Sequence, residues 1–289
     1  MMEQKSVYPK SVYPFEIIKK GLEHPIQLPT SLKIELQDFE AYCLDHTSHS
    51  NQSDINRFIW DGARFYWQDL EAGNLEIDFT SKKLQYRMQK LNKAQEPLLR
   101  AVGWKSTERQ RIWDLTAGLG RDSALLYFAG LQVLMFERNP VLQTLLQYGL
   151  AQLSQPVGQA DIGTAVDPYL YLMPEDAIAF LQNRDHQETQ MSDIAVPLAD
   201  VIYMDPMYPE RKKSALVKKE LRIIRNLVGA DLDNELLLKN ALTSGVPRVV
   251  VKRPKGAEFV ADLKPSHSVE SPNTRFDVYL QHSLDTLSR

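Results

Sequence analysis

Cysteine is nearly absent from this sequence, Cys43 being the single one among 289 residues. No intrachain disulfide and no cysteine-based zinc site can form, and such usage suits a reducing compartment, so the cytoplasm is the expected location. Long apolar runs are missing too. No stretch reaches about eighteen apolar residues, and no basic segment leads into an apolar run at the N-terminus, so a chain neither exported nor membrane-spanning is expected. Nor does one charge dominate. The formal net charge of −3 argues against coating nucleic acid through bulk charge and leaves basic patches to be sought locally. No Ser/His/Asp or Cys/His arrangement suggests a covalent nucleophile. His46 and His49 form an isolated H-x-x-H in a polar loop without a convergent ligand set, so no metal is expected.

Residues 1–80 are a composite of short segments and read as a small N-terminal accessory domain, with 81–289 as the main domain. The segment opens on a tandem Ser6-Val-Tyr-Pro9 and Ser11-Val-Tyr-Pro14, whose prolines oppose regular structure. It continues through a polar loop, His46 to Asp54, and an aromatic-rich run, Phe58 to Trp67. Asn74 to Thr80 alternates apolar and polar residues, which predicts a short strand. From Ser81 to Val102 the pattern turns helical, with Pro97 as a break. After Arg111 the order strand, tight turn, helix repeats, as parallel βαβ units require. Strands are expected at Arg111 to Leu115, Gln132 to Phe136, Tyr169 to Leu172, Asp200 to Met204, Arg248 to Lys252 and Phe276 to Leu280. Helices are expected to begin near Arg121, Pro140, Asp176, Lys213 and Glu258, and Gln182 to Pro197 reads as a surface loop. The fold class is α/β, a Rossmann-like doubly wound sheet.

The first motif is Arg111-Ile-Trp-Asp-Leu-Thr-Ala-Gly-Leu-Gly-Arg-Asp-Ser123, an apolar strand ending at Asp114 and entering a turn with Gly118 and Gly120. Two glycines let backbone approach a ligand at a helix start. A dinucleotide fingerprint needs a third glycine where Ser123 stands, so no pyrophosphate cradle is complete. A nucleoside ligand such as S-adenosylmethionine needs none, and its carboxylate suits the N–H groups of a helix N-terminus. The next strand ends in Glu137, at the spacing of a ribose contact. The third is followed by Met173-Pro-Glu-Asp-Ala177, where Glu175 and Asp176 could meet an adenine amino group. A bare strand-to-helix turn flanked by surface acids is the alternative for each of these alone. The ordered set of three strand-end acids favours a shared ligand.

The second motif is Val201-Ile-Tyr-Met-Asp-Pro-Met-Tyr-Pro209. Its turn resembles the Asp/Asn-Pro-Pro-aromatic motif of amino-group methyltransferases, with Met207 in place of the second proline. The lone pair of an exocyclic amine is delocalised into its base, so the nitrogen attacks only when pulled toward tetrahedral geometry. Asp205 and the carbonyl of Pro206 can accept the amine hydrogens, and Tyr208 can stack on the base. The alternative is a structural turn with Asp capping a helix and Tyr in the core. A basic run follows directly, Arg211, Lys212, Lys213, Lys218, Lys219 and Arg222, and a second one spans Lys82 through Arg87, Lys90 and Lys93. Both suit a phosphate backbone, and a solvated helix face is the other reading. Lys252-Arg253-Pro254 either extends that patch or ends the sheet.

Together these motifs resemble the RsmJ-type methyltransferases, which make N2-methylguanosine in small-subunit (16S) ribosomal RNA. The residues that carry the resemblance are Asp114-Leu-Thr-Ala-Gly-Leu-Gly-Arg-Asp122, Phe136-Glu-Arg-Asn-Pro140, Asp205-Pro-Met-Tyr-Pro209, Lys213-Ser-Ala-Leu-Val-Lys-Lys219, Leu227-Val-Gly-Ala-Asp231, Val249-Val-Val-Lys-Arg-Pro254 and Arg275-Phe-Asp-Val-Tyr279. They span roughly residues 75 to 280. The resemblance implies a class I methyltransferase sheet, S-adenosylmethionine as cofactor and small-subunit ribosomal RNA as partner. It further implies cofactor contact at Arg121 and Asp122, Glu137 and Arg138, Glu175 and Asp176, and Asp205. Gln89 to Gln95 departs from the glycine-rich stretch usual there and is expected to be helical. The other readings weighed are an adenine N6 methyltransferase and a non-catalytic module binding RNA or adenosylmethionine.

Overall fold

The computed structural model describes residues 16–19, 56–60, 64–153, 169–184, 196–207, 219–228 and 233–281. The chain divides into two compact units, 1–76 and 77–289. In the first, β1 (Glu16–Lys19), β2 (Arg57–Trp60), β3 (Phe65–Asp69) and β4 (Gly73–Leu75) form a sheet in that order. Phe58 stacks on Phe65 with centroids 5.2 Å apart, and Trp67 meets Phe58 edge-on at 5.0 Å, so aromatic side chains fill one face. The tandem repeat and the His46/His49 loop lie outside the described residues.

The second unit opens with α1 (Lys82–Gln89) and α2 (Pro97–Val102), then β5 (Arg111–Asp114), α3 (Arg121–Phe128), β6 (Gln132–Phe136), α4 (Pro140–Leu153), β7 (Leu170–Met173), α5 (Ala177–Asn183) and β8 (Val201–Met204). It continues through α6 (Lys219–Val228), α7 (Asn234–Thr243), β9 (Arg248–Pro254), β10 (His267–Glu270) and β11 (Thr274–Leu280). The sheet order is β10-β11-β9-β8-β5-β6-β7, with β11 antiparallel to both neighbours and the strands from β9 to β7 mutually parallel. This is the doubly wound arrangement expected of a class I methyltransferase. Because helices cover both faces, β8 is buried at every residue and β9 carries three successive buried valines. On one face Trp113, Phe136 and Phe180 pack edge-on or tilted, with centroids 4.7 to 6.3 Å apart. The chain leaves β5 toward β6 and β7, then returns to place β8 on the other side of β5. That reversal opens a crevice beyond the carboxyl ends of β5 and β8.

Local signals explain most helix starts. Asn139 caps α4 through its Oδ1, which accepts from the Val141 and Leu142 amides at 3.0 and 3.2 Å, with Pro140 as the first helical residue. Asp176 caps α5 in the same way. Pro97 opens α2 as its first residue, so the helical stretch from Ser81 is two helices.

Four expectations are corrected. Of the alternating segment from Asn74 to Thr80, only Asn74 and Leu75 pair, as the end of β4. The alternation instead buries Ile77 and Phe79, 4% and 3% exposed, against glycines of α3 and α4. Residues after Gln89 leave the helix, the amides of Gln95 and Glu96 both turning back to the Asn92 carbonyl. No α-helix begins at Glu258. The stretch between Pro254 and Pro265, with Gly256 inside it, holds only a three-residue 3-10 turn, because positive φ at Ala261 and Asp262 breaks any helical run. Helix α7 and strand β10 were not expected; α7 turns Leu237, Leu238 and Ala241 into the core. The predicted helix start at Lys213 lies outside the described residues. Among them, no helix is long and apolar enough to cross a membrane.

Gly120 caps α3 at φ 65°, and a Cβ there would stand 2.8 Å from Phe79 and 2.9 Å from Leu146. Gly120→Ala combines a left-handed backbone with an overpacked core and is expected to cost about 2–4 kcal/mol of stability. Urea denaturation measures this, and an unchanged midpoint would show that the core yields freely.

Candidate active site

The turn after β5 is built around carboxylates. Asp114, 1% exposed, accepts from Ser123 Oγ at 2.5 Å and from the Thr116 amide at 3.1 Å, tying the end of β5 to the first turn of α3. Burial pushes its carboxyl up to about 7, against the pull of those two hydrogen bonds and with the help of nearby Asp122 and Asp205. From β6, Glu137 reaches across. Its Oε2 accepts from the Gly118 amide at 2.9 Å and its Oε1 from the Asn139 amide at 2.8 Å. Thr116 completes the turn by accepting the Asp205 amide at 2.6 Å, which docks the residue after β8 onto it.

These contacts frame a cleft. Gly118, Glu137, Arg138, Glu175, Asp176 and Asp205 line it together, with Leu115, Phe136, Ile178, Ile224 and Leu237 as apolar wall. Asp233 also lines it, and Arg138 Nη1 donates to Asp233 Oδ2 at 2.6 Å and to Asp176 Oδ2 at 3.4 Å. Burial, and then its neighbour Asp176, raises the Glu175 carboxyl above the usual range. A Cβ at Gly118 would meet nothing closer than the Thr116 carbonyl at 3.9 Å, so the space above this residue is open to a ligand. Apolar walls with a carboxylate rim fit a nucleoside that carries a positive charge.

Other expected contacts lie off this cleft. Asp114 is under the turn and Gly120 is packed against Phe79 and Leu146, so both shape the turn. Arg121 pairs with Glu220 on the exterior. Asp122 does not line the cleft; it accepts from the Tyr203 hydroxyl at 2.5 Å and from Lys252 Nζ at 2.7 Å. Pro206 is buried beside Asp205. Tyr208, Arg211, Lys212, Lys213 and Lys218 lie outside the described residues, and of Lys219 only its place at the start of α6 is described. Arg222 is exposed on α6, and Lys82 and Arg87 are exposed on α1.

Lys252 is the site residue that its sequence context left undecided. Its ammonium lies 2.8 Å from Asp205 Oδ2 as well as 2.7 Å from Asp122. Burial pulls it down, but the two carboxylates outweigh that and hold it above its ordinary value. Its signal in the sequence is a first polar residue after Val249-Val-Val251, at the carboxyl end of a buried parallel strand. Arg253, by contrast, is buried within β9 opposite Arg275 of β11 and donates to the Glu258 carbonyl.

The sequence matches, over residues 49–281, the family model described as "Putative SAM-dependent methyltransferase". Its curated relatives include the ribosomal RNA small subunit methyltransferase J of Thioalkalivibrio sulfidiphilus, 43% identical over 208 residues, which are 72% of this chain and 76% of the relative. That of Nitrosococcus oceani is 41% identical over 208 residues, 72% of this chain and 77% of the relative. Among solved structures, a SAM-dependent methyltransferase from Neisseria gonorrhoeae superposes with a TM-score of 0.62 at 26% identity, over 94% of this chain and 98% of that one.

The raised Asp114 carboxyl makes stability depend on pH. Its folded value is about 7 against an ordinary 3.8, so the folded state holds the proton more tightly than the unfolded state. Stability is therefore fully present below the lower value and falls as pH rises toward the upper one, by roughly 1.4 kcal/mol per unit at most. Asp114→Asn keeps an acceptor for the Thr116 amide and removes this fall. Urea unfolding between about pH 5 and 7 should show the variant gaining on the wild type; parallel curves would mean that Asp114 is ionised in the fold.

Proposed function

The chain belongs to the SAM-dependent methyltransferase family that includes the ribosomal RNA small subunit methyltransferase J proteins, and from that premise we propose that it methylates the exocyclic N2 amine of a guanosine in small-subunit ribosomal RNA, in the cytoplasm. The observation that carries this reading is the place of Asp205. It follows β8 at the switch point of the sheet, lines the cleft, and is docked by Thr116 onto the turn that bears Gly118.

S-adenosylmethionine, bound in the cleft, supplies an electrophilic methyl group on a sulfonium. Glu137 is suited to accept from its ribose hydroxyls, and Glu175 and Asp176 are suited to its adenine amino group, with Arg138 closing the rim. Asp205 accepts from the target amine and, with the Pro206 carbonyl, favours the tetrahedral geometry that frees the nitrogen lone pair. It is assigned to the amine because a carboxylate paired with the sulfonium would favour the charged ground state and slow transfer. No covalent enzyme intermediate is needed, and positioning provides much of the acceleration. Tyr208 is the proposed stacking partner of the base.

The RNA surface includes α1. Lys82, Lys83, Arg87 and Lys90 are all exposed, this helix buries no side chain, and no acid occurs between Lys82 and Gln95. The exposed Tyr86 sits among these cations, with Lys90 Nζ 5.8 Å from its ring centroid. Arg222 and the run from Arg211 to Lys219 are assigned to the same RNA surface. Residues 1–80 are assigned a substrate-related accessory role.

Asp205 provides the test of the chemistry. Asp205→Asn keeps an acceptor oxygen and should retain measurable transfer, whereas Asp205→Ala should lose on the order of 10²–10³ in single-turnover rate. Nucleoside digests of treated small-subunit RNA should contain N2-methylguanosine; N6-methyladenosine, or no methyl group at all, would overturn the reading. Neutralising Lys82, Lys83, Arg87 and Lys90 together should flatten the salt dependence of RNA binding, by roughly 0.7–0.9 in logarithmic slope for each phosphate that is no longer neutralised. An unchanged slope would leave α1 as a solvated face.

A further inference from the structure

Asp205 does not stand alone behind its cleft-facing surface. In the register of the sheet Met204 of β8 lies beside Val251 of β9, so the next residue along each strand direction, Asp205 and Lys252, falls side by side at the carboxyl edge. Lys252 Nζ donates to Asp205 Oδ2 at 2.8 Å and to Asp122 Oδ2 at 2.7 Å. Asp122, in the first turn of α3, is itself held by the Tyr203 hydroxyl at 2.5 Å. The result is a continuous chain from Tyr203 through Asp122 and Lys252 to Asp205. Lys252 and Asp122 are each 27% exposed and lie off the cleft, while Asp205 is 40% exposed and lines it.

Charge explains why such a chain is needed. Asp114 from β5, Asp122 from α3 and Asp205 after β8 meet at one end of the sheet, together with the Tyr203 hydroxyl from β8. Across the β9–β11 pairing Lys252 faces Phe276, which does not titrate. Without a cation among them, neighbouring carboxylates share a proton, and a protonated acid is a poorer acceptor for an amine hydrogen. We infer that Lys252 is a positioning residue for the transfer step: clamped by Asp122, its ammonium fixes the orientation of the Asp205 carboxylate and keeps it ionised for the target amine. This rests on reading Asp205 as the amine acceptor. Lys252 acts through Asp205 without touching the amine or the cofactor, and it moves no proton. Its hold above its ordinary value means that it stays charged throughout the pH range in which the enzyme would be assayed.

The test combines two substitutions with a titration that needs neither cofactor nor RNA. Lys252→Met should lower the single-turnover rate about tenfold or more, less than the loss expected from deleting Asp205 itself. The acid limb of its pH–rate profile should move up by about one unit or more, the size of shift that an adjacent opposite charge produces. Lys252→Arg keeps the charge and should recover part of the rate and most of the limb. In Asp205→Asn enzyme, where there is no carboxylate to hold, Lys252→Met should cost little further, so the double-mutant cycle is strongly non-additive. In the ligand-free protein, carbon-detected NMR of the aspartate carboxyls should show one carboxyl of the Asp122/Asp205 pair titrating higher in Lys252→Met than in wild type. A folded Lys252→Met protein whose carboxyls titrate as in wild type, or whose loss simply adds to that of Asp205→Asn, overturns the proposal. Full activity of Asp205→Ala would instead overturn the acceptor reading, and the carboxyl titration would still decide whether Lys252 holds the pair ionised.

Discussion

The turn between β5 and α3 has to bend sharply, stay open above Gly118 and still be rigid, and two carboxylates on opposite sides make this possible. Asp114 grips it from below through Ser123 and the Thr116 amide, and Glu137 from the side through the Gly118 and Asn139 amides. Each satisfies backbone N–H groups that the turn would otherwise leave exposed to a ligand site without partners. With Thr116 taking the Asp205 amide, the same turn also sets the position of the residue after β8. The cleft is thus a consequence of how one turn is held.

Such a construction concentrates negative charge. Glu137, Glu175, Asp176, Asp205 and Asp233 line the cleft, with Arg138 as a counterion to the two aspartates of its rim. An excess of acids suits a cationic cofactor, and it also sets a problem of like-charge repulsion at the carboxyl edge of the sheet. Two different solutions occur within a few residues. Asp114 is buried and is pushed toward the neutral form, which leaves it a structural clasp. Asp122 and Asp205 share the Lys252 ammonium. The difference lies in surroundings: Asp114 is buried with no cation beside it, whereas Asp122 and Asp205 are partly exposed and paired with one.

The legible parts of this protein are those written in short-range patterns. Strand β6 was expected at its observed bounds, and α3, α4 and α5 begin at or next to the residues expected, because a buried parallel strand, a capping Asn139 or Asp176 and a first-turn Pro140 act within a few positions. The alternation of Asn74 to Thr80 was real but misread: Ile77 and Phe79 alternate to pack against Gly149 and Gly120, a use of burial that periodicity cannot separate from strand pairing. The 3-10 turn near Val260 escaped for a related reason. Its apolar residues suggest a helix, while its flanking prolines and positive φ angles decide otherwise.

The amino-acid sequence by itself determined the doubly wound fold, the glycine turn and the row of acids at successive strand ends, since each depends on residues near one another in the chain. Tertiary structure alone decided which of those acids face the cleft. It put Asp114 beneath the turn, held Asp122 on Tyr203 and Lys252, and brought Asp233 to Arg138 across a separation of 95 residues. It also joined Lys252 to Asp122 and Asp205, 130 and 47 residues distant. The physical reason is strand order: a sheet that returns to the other side of its first strand places β9 beside β8, with Asp122 of the first α3 turn within side-chain reach of both, so side chains become neighbours through hydrogen-bonded register, which spacing along the chain does not encode.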